Sequence, residues 1–340
     1  MKKKIVAALL AGVMVLAVGC GSKTESGNIT LGQYKGLTLT SVSQATVDAE
    51  ITSILEGYTE FVTVDREAKE GDTVNINFVG TMDGEVFEGG TDDSEEGTNL
   101  ELGSNMFIDG FEEALVGSVA GEERVLELTF PEDYYEDMAG KDVVFTVTVN
   151  EVQEKVVPKL TDEFVANNLG EYNTVDEFVN GLRENLNNTS YYEQVMELVI
   201  GSSEIAEYPE DLVKEETDRM VEYYLSYAEY YASMTGIDTV TALYYVSGLT
   251  SEEELKTASE EYAYQMVKNT MVLEEIANVE GIEVSEEEYN KRALEYAASY
   301  GYEDVATFET DYGKEEVEGI ILLDLVMEFL VDEAIIVDAE

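Results

Sequence analysis

Residues 71–90 read GDTVNINFVGTMDGEVFEGG, and residues 141–152, which close the same stretch, read KDVVFTVTVNEV. Val74, Ile76 and Phe78 alternate with Asn75 and Asn77, the period-2 pattern of a strand with one buried face. Leu126, Leu128 and Phe130 repeat it, as do Val143, Phe145, Val147 and Val149. Asp83-Gly84 has the chemistry of a tight hairpin turn, whose central residues take positive φ. Gly110-Phe-Glu-Glu-Ala-Leu-Val-Gly117 leaves room for about two helical turns between glycines. A twisted antiparallel sheet wrapping one short helix accounts for all of these features.

Beyond Lys155 the hydrophobic period lengthens from 2 to 3.6, so the expected class is α+β, a small sheet followed by an all-α region. Phe164-Val165, then 175–186, then 191–199 read as successive amphipathic helices, parted at Gly170 and at Asn187-Asn188. Pro209 is tolerated in the first turn of a long helix that passes Met220, Tyr223, Tyr224, Tyr227, Tyr230, Tyr231 and Met234 before Gly236. Further helices are expected at about 252–279 and 285–299, with a last one over 314–334. Prolines occur only at 131, 158 and 209, so these helices run uninterrupted. Upstream, 29–42 alternates through Leu37 and Leu39. Thr46 is the expected cap of a helix with Val47, Ile51, Ile54, Leu55 and Tyr58 on one face.

At 340 residues the chain exceeds one ordinary core, and 44% hydrophobic residues suffice for two. Nineteen basic against 74 acidic residues give a net charge of −55, which argues against nucleic acid as a partner. The absence of histidine removes the commonest transition-metal ligand and histidine-based catalysis. The acidic loop Thr91-Asp-Asp-Ser-Glu-Glu-Gly97 is no EF-hand: counted from Asp92, the position of its bidentate glutamate is Gly103. No metal and no cofactor are expected. A solvated surface is the plainest reading of the acidity.

The first twenty residues carry an expectation about location. Lys2, Lys3 and Lys4 precede an apolar run over 5–18 that is short for a membrane span. Ala17-Val-Gly-Cys20 then resembles a bacterial lipobox, with Ala17 where leucine is preferred. Cys20 is the only cysteine, which excludes intramolecular disulfides and CxxC chemistry. The expectation is an acylated Cys20, a polar tether over 20–31 and an extracytoplasmic protein held at the bacterial membrane by a lipid anchor.

The order Gly71-Asp72-x-Val74, Gly80, Asp83-Gly84-x-x-Phe87-Glu88, Leu102-Gly103, Ile108-x-Gly110-Phe111-Glu112, Gly117, Gly121-Glu122 and Phe130-Pro131-Glu132-x-Tyr134 resembles the FKBP-type peptidyl-prolyl isomerases. Within them it looks most like the isomerase domain of the trigger factors. Pro158-x-Leu160-Thr-Asp-Glu-Phe164, Tyr208-Pro-Glu-Asp-Leu212-Val and Ile282-x-Val-Ser-Glu-Glu-Glu-Tyr289 resemble the helical chaperone domain of the same family more loosely. The expected organisation is therefore a signal peptide at 1–19, the tether at 20–31, and a connector strand and helix at 32–70. An isomerase domain at 71–153 and a helical chaperone domain at 154–340 follow. The family's ribosome-docking domain has no counterpart before the connector, so ribosome docking is not expected. The work expected is on unfolded or proline-containing polypeptides.

The resemblance also implies a site. Phe78, Phe87, Phe111 and Phe145 would wall and floor a pocket for the proline ring. Leu100, Phe107 and Ile108 would close it, with the Ile108 N–H offered to a client carbonyl. Glu88 stands at the pocket carboxylate, and Tyr134 or Tyr135 would bring the hydroxyl. In the helical region, Tyr223, Tyr227, Tyr230 and Met234 share one face, which serves either helix packing or adaptable contact with clients. The sequence departs from the family pattern at Phe78, where tyrosine is frequent, at Phe111, where tryptophan is, and at Thr98, where an aromatic is common. Thr98 motivates the alternative of a holdase that keeps the fold without the activity. An acidic ligand-binding lipoprotein is a third reading.

Overall fold

The computed structural model describes residues 28–135 and 138–339. The lipidation expected at Cys20 lies outside the described residues. Strands β1 (Ile29–Thr30) and β2 (Thr38–Thr40) precede α1 (Gln44–Glu56) and β3 (Glu60–Thr63). Then come β4 (Thr73–Met82), β5 (Glu85–Asp92), β6 (Thr98–Glu101), α2 (Phe111–Leu115), β7 (Glu123–Thr129) and β8 (Asp142–Val156). Helices α3 (Asp162–Asn168) and α4 (Val175–Val195) follow, the latter extended by a π-helical turn over Met196–Ile200. After β9 (Glu204–Ile205) the chain is helical: α5 (Glu210–Thr235), α6 (Thr239–Ser247), α7 (Glu252–Glu280), α8 (Glu286–Ser299), α9 (Val305–Tyr312) and α10 (Lys314–Asp332). Strand β10 (Ile335–Val337) is the last element of the described residues. Contacts gather these elements into two compact units, Asp48–Phe178 on one hand and the described residues up to Val47 with Val179–Glu340 on the other.

In the first unit β8 is the spine of an antiparallel sheet, pairing with β3, β4 and β7, while β4 also pairs with β5 and β6. The expected alternation holds: Val74, Ile76 and Phe78 of β4 and Val143, Phe145, Val147 and Val149 of β8 are all buried. Asp83 and Gly84 take φ of 52° and 84°, the two left-handed residues that let Met82 pair with Glu85. Phe111 and Leu115 of α2 are fully buried against the sheet. Arg124 reaches from β7 to donate to the carbonyls of Ala114 and Val116, partnering acceptors that the short helix leaves open.

The second unit is helical, with two small strand pairs. Helix α4 does not break at Asn187-Asn188, as the sequence reading expects. Asparagine only weakens a helix, by about 0.7 kcal/mol or less, and Asn187 accepts the N–H of Val42 at 2.7 Å. The cap of α1 is Ser43 rather than Thr46: the Ser43 hydroxyl accepts the Thr46 N–H at 3.1 Å. Helices α6 and α9 were not expected; with 9 and 8 residues they are too short for a clear period. Their caps are legible in retrospect, Asp238 accepting from Val240 and Thr241, and Asp304 from Thr307. The last helix stops at Asp332, before the expected 334, and β10 pairs in parallel with β2. Arg292 of α8, almost fully buried, donates to Glu288 at 2.5 Å and to Glu328 of α10 at 2.7 Å.

Candidate active site

Strand register and the short helix aim three phenylalanines at one place. Phe78 of β4, Phe145 of β8 and Phe111 of α2 have 9, 5 and 0% of their surface exposed. Their rings meet edge to face, at centroid distances of 6.2 Å (Phe78–Phe111), 6.2 Å (Phe78–Phe145) and 5.2 Å (Phe111–Phe145). Around this floor stand half-buried side chains. Phe107 stacks on Phe111 at 4.3 Å and meets Phe78 edge-on at 5.4 Å. Phe87 leans on Phe145 at 6.2 Å and on Phe130 at 5.9 Å. Tyr134, 39% exposed, stacks on Phe130 at 4.8 Å and so belongs to the same surface. Tyr135 is 71% exposed and touches only the outer edge of Tyr134 among these rings, at 5.0 Å. Of the adjacent tyrosines, Tyr134 is thus the one joined to the phenylalanines.

Two glycines explain how Phe87 lies so close to the strands. A Cβ at Gly80 would fall 2.6 Å from the Phe145 ring and 2.7 Å from that of Phe87. At Gly90 it would fall 2.3 Å from Phe87. The phenylalanine–glutamate–glycine–glycine run therefore includes the seat of its own ring. The side chain of Glu88 in that run lies outside what the structure describes. Leu100, with no exposed surface, is packed in the core behind the rings, and Ile108 is half-buried beside them. The Ile108 carbonyl accepts the Phe111 N–H at 3.1 Å, which fixes the turn into α2.

Glu112 lies within the Ile108–Glu112 motif, and the sequence reading assigns it no role. It is 5% exposed, and its carboxylate gathers the loop before it. One oxygen accepts the N–H groups of Gly103 at 2.8 Å and Asn105 at 3.0 Å. The other accepts those of Met106 at 2.8 Å and Phe107 at 3.3 Å, and the Ser104 hydroxyl at 3.2 Å. Gly103 and Asn105 have φ of 97° and 57°. Left-handed residues so spaced turn backbone N–H groups inward into an anion-binding concavity, filled here by the chain's own carboxylate. Burial by itself would raise the Glu112 pKa; the N–H donors outweigh it and hold the carboxyl below its usual range. The signal was an acid in the first turn of a helix, following a glycine-bearing loop.

Thr98 does not simply leave a gap. It lies across from Ile76, while Asp92 lies across from Phe78, and the Thr98 hydroxyl donates to the Asp92 carboxylate. That bond, followed by those from Ser94, holds the Asp92 carboxyl below its usual range. The loop between them is tied down by Asn75 and Asn77, whose amides donate to the carbonyls of Glu96, Asp92 and Ser94. Asn150, the extra residue at a β-bulge in β8, donates to both asparagines.

On the helical unit, Tyr223, Tyr227, Tyr230 and Met234 of α5 are exposed by 63, 46, 60 and 69%. Helix-on-helix packing does not cover them within the described residues. Tyr223 and Tyr227 lie nearly parallel at 6.4 Å. Among the described residues no group of three or more acids, histidines or cysteines is placed to hold a metal ion.

Residues 64–150 match the family model of the FKBP-type peptidyl-prolyl cis-trans isomerases, and residues 174–335 that of the bacterial trigger factor C-terminus. A trigger factor from Halothermothrix orenii is 37% identical over 290 residues, covering 79% of this chain and 63% of that one. The trigger factor of Halalkalibacterium halodurans is 35% identical over 326 residues, 92% of this chain and 74% of that one. That of Streptococcus mutans is 36% identical over 288 residues, 81% and 65% respectively. The chain thus spans from 63% to 74% of the length of these relatives. A solved trigger factor chaperone structure is similar at 22% identity with a TM-score of 0.38, covering 89% of this chain and 72% of that one.

These relatives correct one expectation. An extracytoplasmic protein held at the membrane does not stand, because the relatives matched along most of the chain are trigger factors. Among the described residues no helix is long and apolar enough to cross a membrane. The physical reason for the error is that three lysines before a short apolar run are a compositional signal. Similarity sustained over hundreds of positions weighs far more. A chain 35% identical to a trigger factor across 92% of its own length and 74% of the other's belongs to the trigger factor family.

Proposed function

We propose that the chain is a folding helper with two activities: it isomerises Xaa-Pro bonds at the phenylalanine-walled site, and it holds unfolded polypeptides on the tyrosine face of its helical region. An Xaa-Pro bond turns over tens to hundreds of seconds against a barrier of about 18–20 kcal/mol. No nucleophile or proton transfer is required. At the 90° transition state the amide has lost its resonance and part of its polarity. A dry aromatic floor of Phe78, Phe111 and Phe145 therefore favours the twisted bond over the planar one. The half-buried Phe87 and Phe107 flank the proline ring, the Ile108 N–H is offered to the client carbonyl, and Tyr134 brings a hydroxyl to the rim. Lowering the barrier by about 4 kcal/mol corresponds to a rate factor on the order of 10³.

The observation that carries this reading is the unbroken run of ring contacts from Phe107 through Phe111 and Phe145 to Phe87, seated on two glycines. The test is a proline-limited refolding assay together with tetrapeptide isomerisation. The full chain should accelerate both, and Phe87→Ala should remove roughly 90% or more of kcat/KM by opening one wall. A folded chain that is inert on several Xaa-Pro substrates but still suppresses aggregation would leave only the holding activity.

A further inference from the structure

Glu112 is buried, its carboxyl is held below its usual range by N–H donors, and the isomerisation proposed above gives it no part. What it touches is the loop that brings two of the site's residues into place. Loop 103–107 crosses from the end of β6 toward α2 and delivers Phe107, and after it Ile108, to the rim of the phenylalanine floor. Two of its residues are left-handed, one of them the non-glycine Asn105. Asparagine is among the few side-chain-bearing residues that visit that conformation, and surrounding contacts hold it there. The contacts here are the four N–H groups and one hydroxyl converging on a single carboxylate. Each oxygen has its own set of donors, Gly103 and Asn105 on one, Ser104, Met106 and Phe107 on the other. Hydrogen bonds to an ionised acceptor are the stronger kind, and buried ones fix geometry closely.

We propose that Glu112 is a positioning residue of the isomerase site: its carboxylate, seated in the loop 103–107, sets where the Phe107 ring and the Ile108 N–H meet the client. This rests on the isomerase reading above. The acid acts through the loop and never on the reacting bond. Its effect therefore falls on how well the twisted amide is held, and little on how the planar client binds.

The test is Glu112→Gln in the full chain, assayed on an Xaa-Pro tetrapeptide. Glutamine keeps the shape but turns an NH2 group toward one of the two donor sets, whichever way it is flipped. kcat should fall roughly tenfold to a hundredfold with KM little changed, while near-ultraviolet circular dichroism stays native. Glu112→Asp keeps both oxygens and should recover most of the loss. Val165→Ala serves as the control for stability alone, because Val165 is fully buried on α3, outside the core cluster that holds the site's rings; its kcat should match the wild type. A folded Glu112→Gln chain with wild-type kcat would overturn the proposal, as would an equal loss of kcat in Val165→Ala. If Glu112→Gln fails to fold, Asn105→Val disturbs the loop from the other side with Glu112 intact. Lowered kcat there supports the proposal, and wild-type kcat refutes it. An inactive wild-type chain would instead remove the isomerase reading itself.

Discussion

The phenylalanine site and the tyrosine face are both aromatic surfaces, yet they are built in opposite ways. Phe111, Phe145 and Phe78 are almost wholly inside, locked by one another, while Gly80 leaves no room for a Cβ beside Phe145 and Phe87, and Gly90 none beside Phe87. Tyr223, Tyr227 and Tyr230 are about half to two-thirds exposed on a single helix. Rings packed against one another in the core keep one arrangement, and its energy resides in the protein's own packing. An exposed row of phenols selects nothing in particular, offers apolar area with a polar edge, and leaves the fold indifferent to its presence. On the reading proposed above, the first serves catalysis on one bond type and the second weak contact with many chains.

The largest consequence is in stability. Phe111→Ala should destabilise its unit by about 3–5 kcal/mol, because a fully buried ring leaves a cavity that the sheet cannot close. Tyr223→Ala should change urea stability by about 0.5 kcal/mol or less. Similar losses for the two, measured by denaturant unfolding of the full chain, would break the contrast.

A smaller effect should appear in how substrates are used. Residues 48–178 alone and the full chain should show similar kcat/KM on a tetrapeptide. On an unfolded protein the full chain should be several-fold better, since a second surface raises the local concentration of client. With a net charge of −55, that advantage should be greatest for basic clients and shrink as salt rises. Equal ratios on both substrates would reduce the helical region to a scaffold.

The smallest expected effect is an acid sensitivity confined to the sheet unit. Asp72, buried, is held by Arg66 at 2.5 Å and by the Lys69 N–H at 2.8 Å. The Arg66 bond is the main cause of its lowered pKa, and burial opposes it. A carboxyl whose folded pKa is depressed adds stability above its unfolded value, near 3.9, and loses it as pH falls through the folded value. Glu112 acts in the same direction. Urea midpoints of residues 48–178 should therefore hold steady near neutrality and drop as pH goes below about 4. Arg66→Gln should flatten that drop. A midpoint that rises on acidification would contradict the assigned sign.

Much was determined by the sequence by itself, wherever the signal is local. Strands 74–78 and 143–149 repeat every two residues because one face is buried, and Asp83-Gly84 turns because both residues tolerate positive φ. Motif order singled out the phenylalanines whose rings the structure brings together, and the period marked the long helices. Only the tertiary structure decided the rest. That Asn187 continues a helix depends on an N–H from Val42, and that 335–337 becomes a strand depends on β2, nearly three hundred residues earlier. The seat of Phe87 on Gly80 and Gly90 appears only once the strands are paired. Glu112 and Asn150 look like ordinary surface polar residues in the sequence. Their roles arise where a loop, a helix turn and a bulge converge, and no local period records such a meeting.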